Sequence, residues 1–95
     1  MESIITLDEA KIYMKITDNS EDQLIQTIIY AVEIFVRALI SPQNAVNMEK
    51  NIPSDLRIAM LDHIAFMYEN RGNLEASIPM RIIYIYKKYK NIRLF

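Results

Sequence analysis

His63 is the only imidazole in the sequence, and no cysteine accompanies it. On a helix, Asp62 and Glu69 stand one and six residues from it, so neither carboxylate lies above it on the same face. A zinc site needs three or four ligands at defined spacing, which this pattern does not supply. Nucleophilic catalysis needs a base beside a serine or threonine, and a third group to orient that base. His63 has no such neighbours in sequence and reads as a residue at the border of a helix face. With Gly72 as the one glycine, neither common phosphate-cradling loop can form. The carboxylate pairs Asp8-Glu9 and Glu21-Asp22 fall in first turns of helices, where complementarity to the helix dipole explains them. The sequence points to a non-enzyme: no catalytic residue, no metal ligand and no cofactor site is expected.

A second chemically suggestive stretch runs from Tyr84 to Arg93, YIYKKYKNIR, interleaving aromatics with cations. Sites for single-stranded nucleic acid combine these two types, stacking bases on rings and drawing phosphates to cations. The plainer reading is an amphipathic terminal helix whose tyrosines pack and whose lysines are solvated. Docking onto another protein is a third. Up to Glu75 the chain has six basic and twelve acidic residues; beyond it there are five basic and none acidic. An acidic body with a basic tail is thus the main electrostatic feature of a chain whose net charge is only −1. A helix-turn-helix reader is not expected, since it needs a short turn and a basic recognition helix.

The elements that would carry these residues are helical. About half of the 95 residues are hydrophobic, while glycine and proline number one and three, too few for the turns of a β-sandwich or barrel. One all-α domain over residues 1–95 is expected, with 79–95 a basic C-terminal helix or tail. The absence of cysteine mildly favours a reducing compartment. No basic region precedes an apolar block at the N-terminus, so no signal peptide is read there. The longest apolar stretch, Leu24 to Ile40, contains Gln26, Glu33 and Arg37, which suits a soluble core helix and not a membrane span.

Thr6 and Glu9 form a capping box for a short first helix, ending near Thr17-Asp18-Asn19. Ser20 and Gln23 form a second one, opening a long central helix to about Ile40. Ser41-Pro42 stops it, and Pro42 to Ile52 reads as a polar connection of about a dozen residues. Ile52-Pro53-Ser54-Asp55 starts a second long helix, with Leu56, Met60, Leu61, Ile64, Met67 and Tyr68 apolar and Asp55, Asp62 and Glu69 opposite. It frays at Asn70–Asn73, where Gly72 is suited to a left-handed conformation. Ile78-Pro79 opens the last segment. It reads as a short helix, although its β-branched and aromatic residues also suit a strand.

The central helix has a surplus of apolar surface. At 100° per residue its apolar side chains cover roughly half to two-thirds of the circumference. Gln26, Tyr30, Glu33 and Arg37 leave one narrow polar stripe. A surface helix needs an arc of only about 100°. Either the other elements wrap this helix, or another subunit buries part of it. Leu24, Ile28, Phe35 and Leu39 are assigned to the core, and Ile29, Val36 and Ile40 to an edge open to a neighbour.

Four blocks in order, ITLDEAKIYMKI at 5–16, DNSEDQLIQTIIYA at 18–31, Ile52-Pro53 through Tyr68-Glu69-Asn70-Arg71, and Ile78-Pro79 through Tyr86 and Tyr89, resemble the head–tail connector (adaptor, or DNA-packaging) proteins of tailed bacteriophages and prophages. The resemblance implies a small helical subunit forming a ring of about twelve copies, which must close head to tail. That ring would sit beneath the portal protein, extend the DNA conduit and hold the stopper or tail-completion protein. DNA would be passing cargo, no membrane would be involved, and the site of action would be the virion's head–tail junction after synthesis in the bacterial host cytoplasm. The resemblance carries no catalytic residues. It assigns portal docking to the C-terminal segment, hence to Arg81, Lys87, Lys88, Lys90, Arg93 and Phe95. Family members often show a Gly-containing turn after the central helix, where this chain has Ser41-Pro42-Gln43. Two other readings stand beside it: a small helical DNA-binding or regulatory protein using the tail cations, and a helical dimer with no nucleic-acid role.

Overall fold

The computed structural model describes residues 4–73 and 75–90. Five helices make up the described chain: α1 (Leu7–Met14), α2 (Asp22–Leu39), α3 (Pro42–Lys50), α4 (Ser54–Glu69) and α5 (Met80–Lys88). No strand occurs among the described residues. The domain is all-α, with α2 and α4 the long pair and shorter helices at either end.

α1 is capped by Thr6, whose Oγ1 accepts the Glu9 amide at 3.1 Å, while the Glu9 carboxylate, expected to reach back to Thr6, accepts instead from Arg57 on α4. It ends earlier than expected. Lys15 takes a left-handed conformation (φ 61°), and the amides of Lys15 and Ile16 donate back to the carbonyls of Ile12 and Lys11. That is a Schellman closure with lysine where glycine is usual. The Ser20 box does not form. Ser20 turns to Asp18, both its amide and hydroxyl donating to Oδ1, and Glu21 takes the cap position without a side-chain bond. Lys11, buried on α1, instead reaches Asp22 and Asn19 at 2.7 Å and ties α1 to the start of α2.

The connection expected from Pro42 to Ile52 is largely a helix. Ser41 stops α2 and at the same time caps α3, its Oγ accepting from the Asn44 amide, while Pro42 occupies a first-turn position whose amide has no intrahelical partner to lose. Asn44 is buried and donates its Nδ2 to the Tyr89 carbonyl at 2.8 Å; the Ser41 amide donates to the same oxygen at 3.0 Å. The start of α3 thus receives the end of α5. At the close of α4, Asn70 supplies both backbone and side-chain donors to the Phe66 carbonyl, and Gly72 does not adopt positive φ.

α4 packs most extensively on α2 and α5, and also on α1; α2 touches all four other helices. Ile25, Ile29, Val32 and Val36 of α2 meet Leu56, Met60 and Ile64 of α4 in one core. Removing a side chain such as Ile25 from water contributes roughly 1.5–3 kcal/mol. The placement reverses part of the sequence reading of α2. Ile29 and Val36 are 0% exposed and Ile40 5%, which places the three residues assigned to a neighbour within the subunit's own core. Of the four assigned to the core, Ile28 is buried and Leu39 half-buried, while Leu24 and Phe35 are exposed.

The physical reason lies in Glu33. Its carboxylate is buried and accepts the Ile5 amide at 3.0 Å, anchoring the segment before α1. That bond rotates the supposed polar stripe inward at its middle, and the opposite apolar surface outward. The domain is also thin, 39 × 29 × 19 Å, about two helix diameters in its short dimension. A slab of that thickness leaves each long helix with one face uncovered.

Candidate functional site: an uncharged helix face and its groove

The uncovered face of α2 carries Leu24, Thr27, Tyr30, Ala31, Ile34, Phe35 and Ala38, all exposed and none charged. Ile34 is 63% exposed and Tyr30 44%. Singly exposed apolar residues are ordinary; a contiguous uncharged face on the longest helix is the kind of patch that partners cover. The helix can present it because its charged residues are occupied elsewhere: Asp22 with Lys11, Glu33 with Ile5, and Arg37 with Glu49 on α3.

Beside this face runs an open groove of about 360 Å³ between α2, α4 and the stretch leading into α5. Ala31 and Phe35 form one wall, Phe66 and Met67 another, and Ala76 and Ile78 the third. Arg71 and Asn73 stand at the groove as polar groups. Arg71 lies over the Tyr68 ring at 4.4 Å and 3.7 Å from Glu21.

His63 lines the groove at its base. Sequence reasoning placed it at a helix border, yet it is almost wholly buried. Its Nδ1 and the Tyr86 hydroxyl form a 2.9 Å hydrogen bond, and Phe35 meets its ring edge-on at 5.3 Å. Burial lowers the imidazole's pKa to about 4, so it is neutral at physiological pH. Burial likewise raises the Tyr86 phenol, so it keeps its proton. The bond ties α4 to α5. Among the described residues no three His, Cys, Asp or Glu side chains gather as a metal would require, and no helix is long and apolar enough to cross a membrane.

The basic residues of the tail divide. Arg81 and Lys88 face the acidic side of α4, Arg81 Nε lying 3.3 Å from Asp62 and Lys88 Nζ 2.6 Å from Asp55. Asp62 also accepts from the Tyr13 hydroxyl and Asp55 from that of Tyr89, both at 2.6 Å. Burial and the Asp55 bond push the Tyr89 phenol up to about 12. Asp55 and Asp62, on the side of α4 opposite its apolar face, therefore help to seat α5. Lys87 and Lys90 are exposed and form no ion pair among the described residues. Arg93 and Phe95 lie outside the described residues. No sequence signal marked the groove, because its walls come from three separated segments.

The fold and its surface define a small all-α protein whose most prominent surface feature is an uncovered, uncharged helix face. The chain belongs to a phage structural family: the family model described as phage gp6-like head-tail connector protein matches residues 4–92. No curated protein and no solved structure matches it. The match contains all four sequence blocks, and the chain's role is that of a phage structural connector.

Proposed function

We propose that this chain is the subunit of a ring at the head–tail junction of a phage or prophage, docked on the portal protein and extending the DNA channel towards the tail. The observation that carries the reading is the family match over nearly the whole chain. The uncharged face of α2 supports it, since each subunit of a closed ring buries two different faces against its neighbours. In this reading α2 meets the neighbour through Tyr30, Ile34 and Phe35, in place of Ile29, Val36 and Ile40.

The acidic body suits a conduit, because affinity for DNA comes mainly from cations at phosphates, and a channel must let DNA pass. Portal docking falls to Arg81 and Lys88, continued by Arg93 and Phe95, with Lys87 and Lys90 left for the contact between subunits. The Arg81–Asp62 and Lys88–Asp55 pairs do not prevent this. Both cations are more than half exposed, and ion pairs of that kind contribute about 0–1 kcal/mol. A stopper or tail-completion protein binds the opposite side of the ring. The protein acts in the virion without cofactor or catalysis. Electron microscopy of the protein mixed with its portal protein tests the reading: rings capping the portal are expected, and portal particles without added density would overturn it.

A further inference from the structure

A head-to-tail ring needs a second face to cover the first, and the helix α5 offers one. Its outward side carries Met80, 65% exposed, and Tyr84, 73% exposed, one turn apart, with Lys87 a turn further on. These are among the most exposed large apolar side chains in the described chain, and they sit on a helix whose inner side, Ile82 and Tyr86, is fully buried. The two uncovered faces differ in character. That of α2 is uncharged, and Glu75, exposed and without an ion-pair partner among the described residues, stands between the groove residues Asn73 and Ala76. That of α5 is cationic, with Lys87 and Lys90 in the same unpaired state.

We infer that in the assembly the α5 face of one copy lies over the α2 face and groove of the next, Met80 and Tyr84 against Ile34 and the groove wall, with Lys87 and Lys90 towards Glu75. This rests on the connector reading. The occupant is a second copy because one chain carries both charged partners, Glu75 beside the groove and Lys87 and Lys90 towards the end of α5, all three exposed and outside the ion pairs of the described residues. Each copy thus presents both halves of the contact. Two α2 faces brought together would instead bury the tyrosine hydroxyls of Tyr30 without matching charge, and two α5 faces would oppose lysines.

The chain has no cysteine, so introduced thiols report one contact each. Ile34→Cys and Tyr84→Cys replace exposed residues; the helical content of each by circular dichroism should equal that of the parent chain. On mild oxidation at the highest soluble concentration, an equimolar mixture of the two variants should give a disulfide-linked dimer containing one of each. Either variant alone should give no more dimer than a control with cysteine at the exposed Asp8. Equal crosslinking of each variant with itself would overturn the assignment in favour of a symmetric contact, and a mixture no better than the control would overturn it outright. Light scattering of the unsubstituted chain separates the two levels. Assembly without the mixed crosslink leaves the connector reading and removes this contact, whereas a chain that never assembles, alone or with portal protein, removes both.

Discussion

His63 Nδ1 and the Tyr86 hydroxyl lie 2.9 Å apart in the interior, joining α4 to α5 beneath the groove. The pair makes folding sensitive to acid. The imidazole titrates near 6.5 when unfolded and about 4 when folded. Below pH 6.5 the unfolded chain therefore binds more protons than the native one, and stability falls as pH falls towards 4. Between pH 7 and pH 5, where carboxylates change little, the loss should be about 2 kcal/mol. Urea unfolding at the two pH values measures it. His63→Gln should flatten the difference; an equal slope in that variant would show that other groups carry it.

Tyr86→Phe keeps the ring and removes the hydroxyl. It leaves a buried imidazole nitrogen without that partner, at a cost of about 1–3 kcal/mol. The urea midpoint should drop with no change in the slope. A neutral result would mean that water reaches His63 through the groove.

Lys15 sits in the left-handed region at the end of α1, exposed and held by two backbone bonds. A side chain there is strained by roughly 1–2 kcal/mol, part of which glycine returns as unfolded-state entropy. Lys15→Gly should stabilise the domain by about 0.5–1 kcal/mol, readable as a rise in melting temperature. Destabilisation would count against the Schellman closure.

Glu33→Leu removes the carboxylate that accepts the Ile5 amide. Loss of this buried bond should lower stability by about 1–3 kcal/mol. Hydrogen exchange at the Ile5 amide should accelerate more than exchange within α4. Uniform acceleration across the chain would show that Glu33 has no special hold on the N-terminal segment.

Much of this architecture is visible in the residues themselves. The Thr6 cap, the stop at Ser41-Pro42 and the apolar side of α4 all depend on neighbours within a turn, where spacing and chemistry suffice. Ser41-Pro42 shows where local reading stops short. The same two residues that end α2 also begin α3, and that second role is supported by long-range bonds such as the buried Asn44–Tyr89 bond, 45 residues apart in sequence.

The facing of α2 is hidden for a similar reason. A helix with apolar residues over most of its circumference has no periodicity strong enough to orient it. Packing against four other helices and long-range bonds such as Ile5 to Glu33 decide which part turns inwards, and no pattern within α2 announces them. The same holds for the groove and for the seat of α5 on Asp55 and Asp62. Each joins residues that sequence keeps far apart.

The central claim is that α2 presents an assembly surface, and size-exclusion chromatography with light scattering tests it most directly. The chain of 11.2 kDa should form an oligomer of several subunit masses, or, mixed with portal protein, elute with the portal and add several subunit masses to it. Ile34→Glu, at an exposed position, should keep the helical spectrum and lose that species. An Ile34→Glu variant that assembles as the parent chain does would contradict the account.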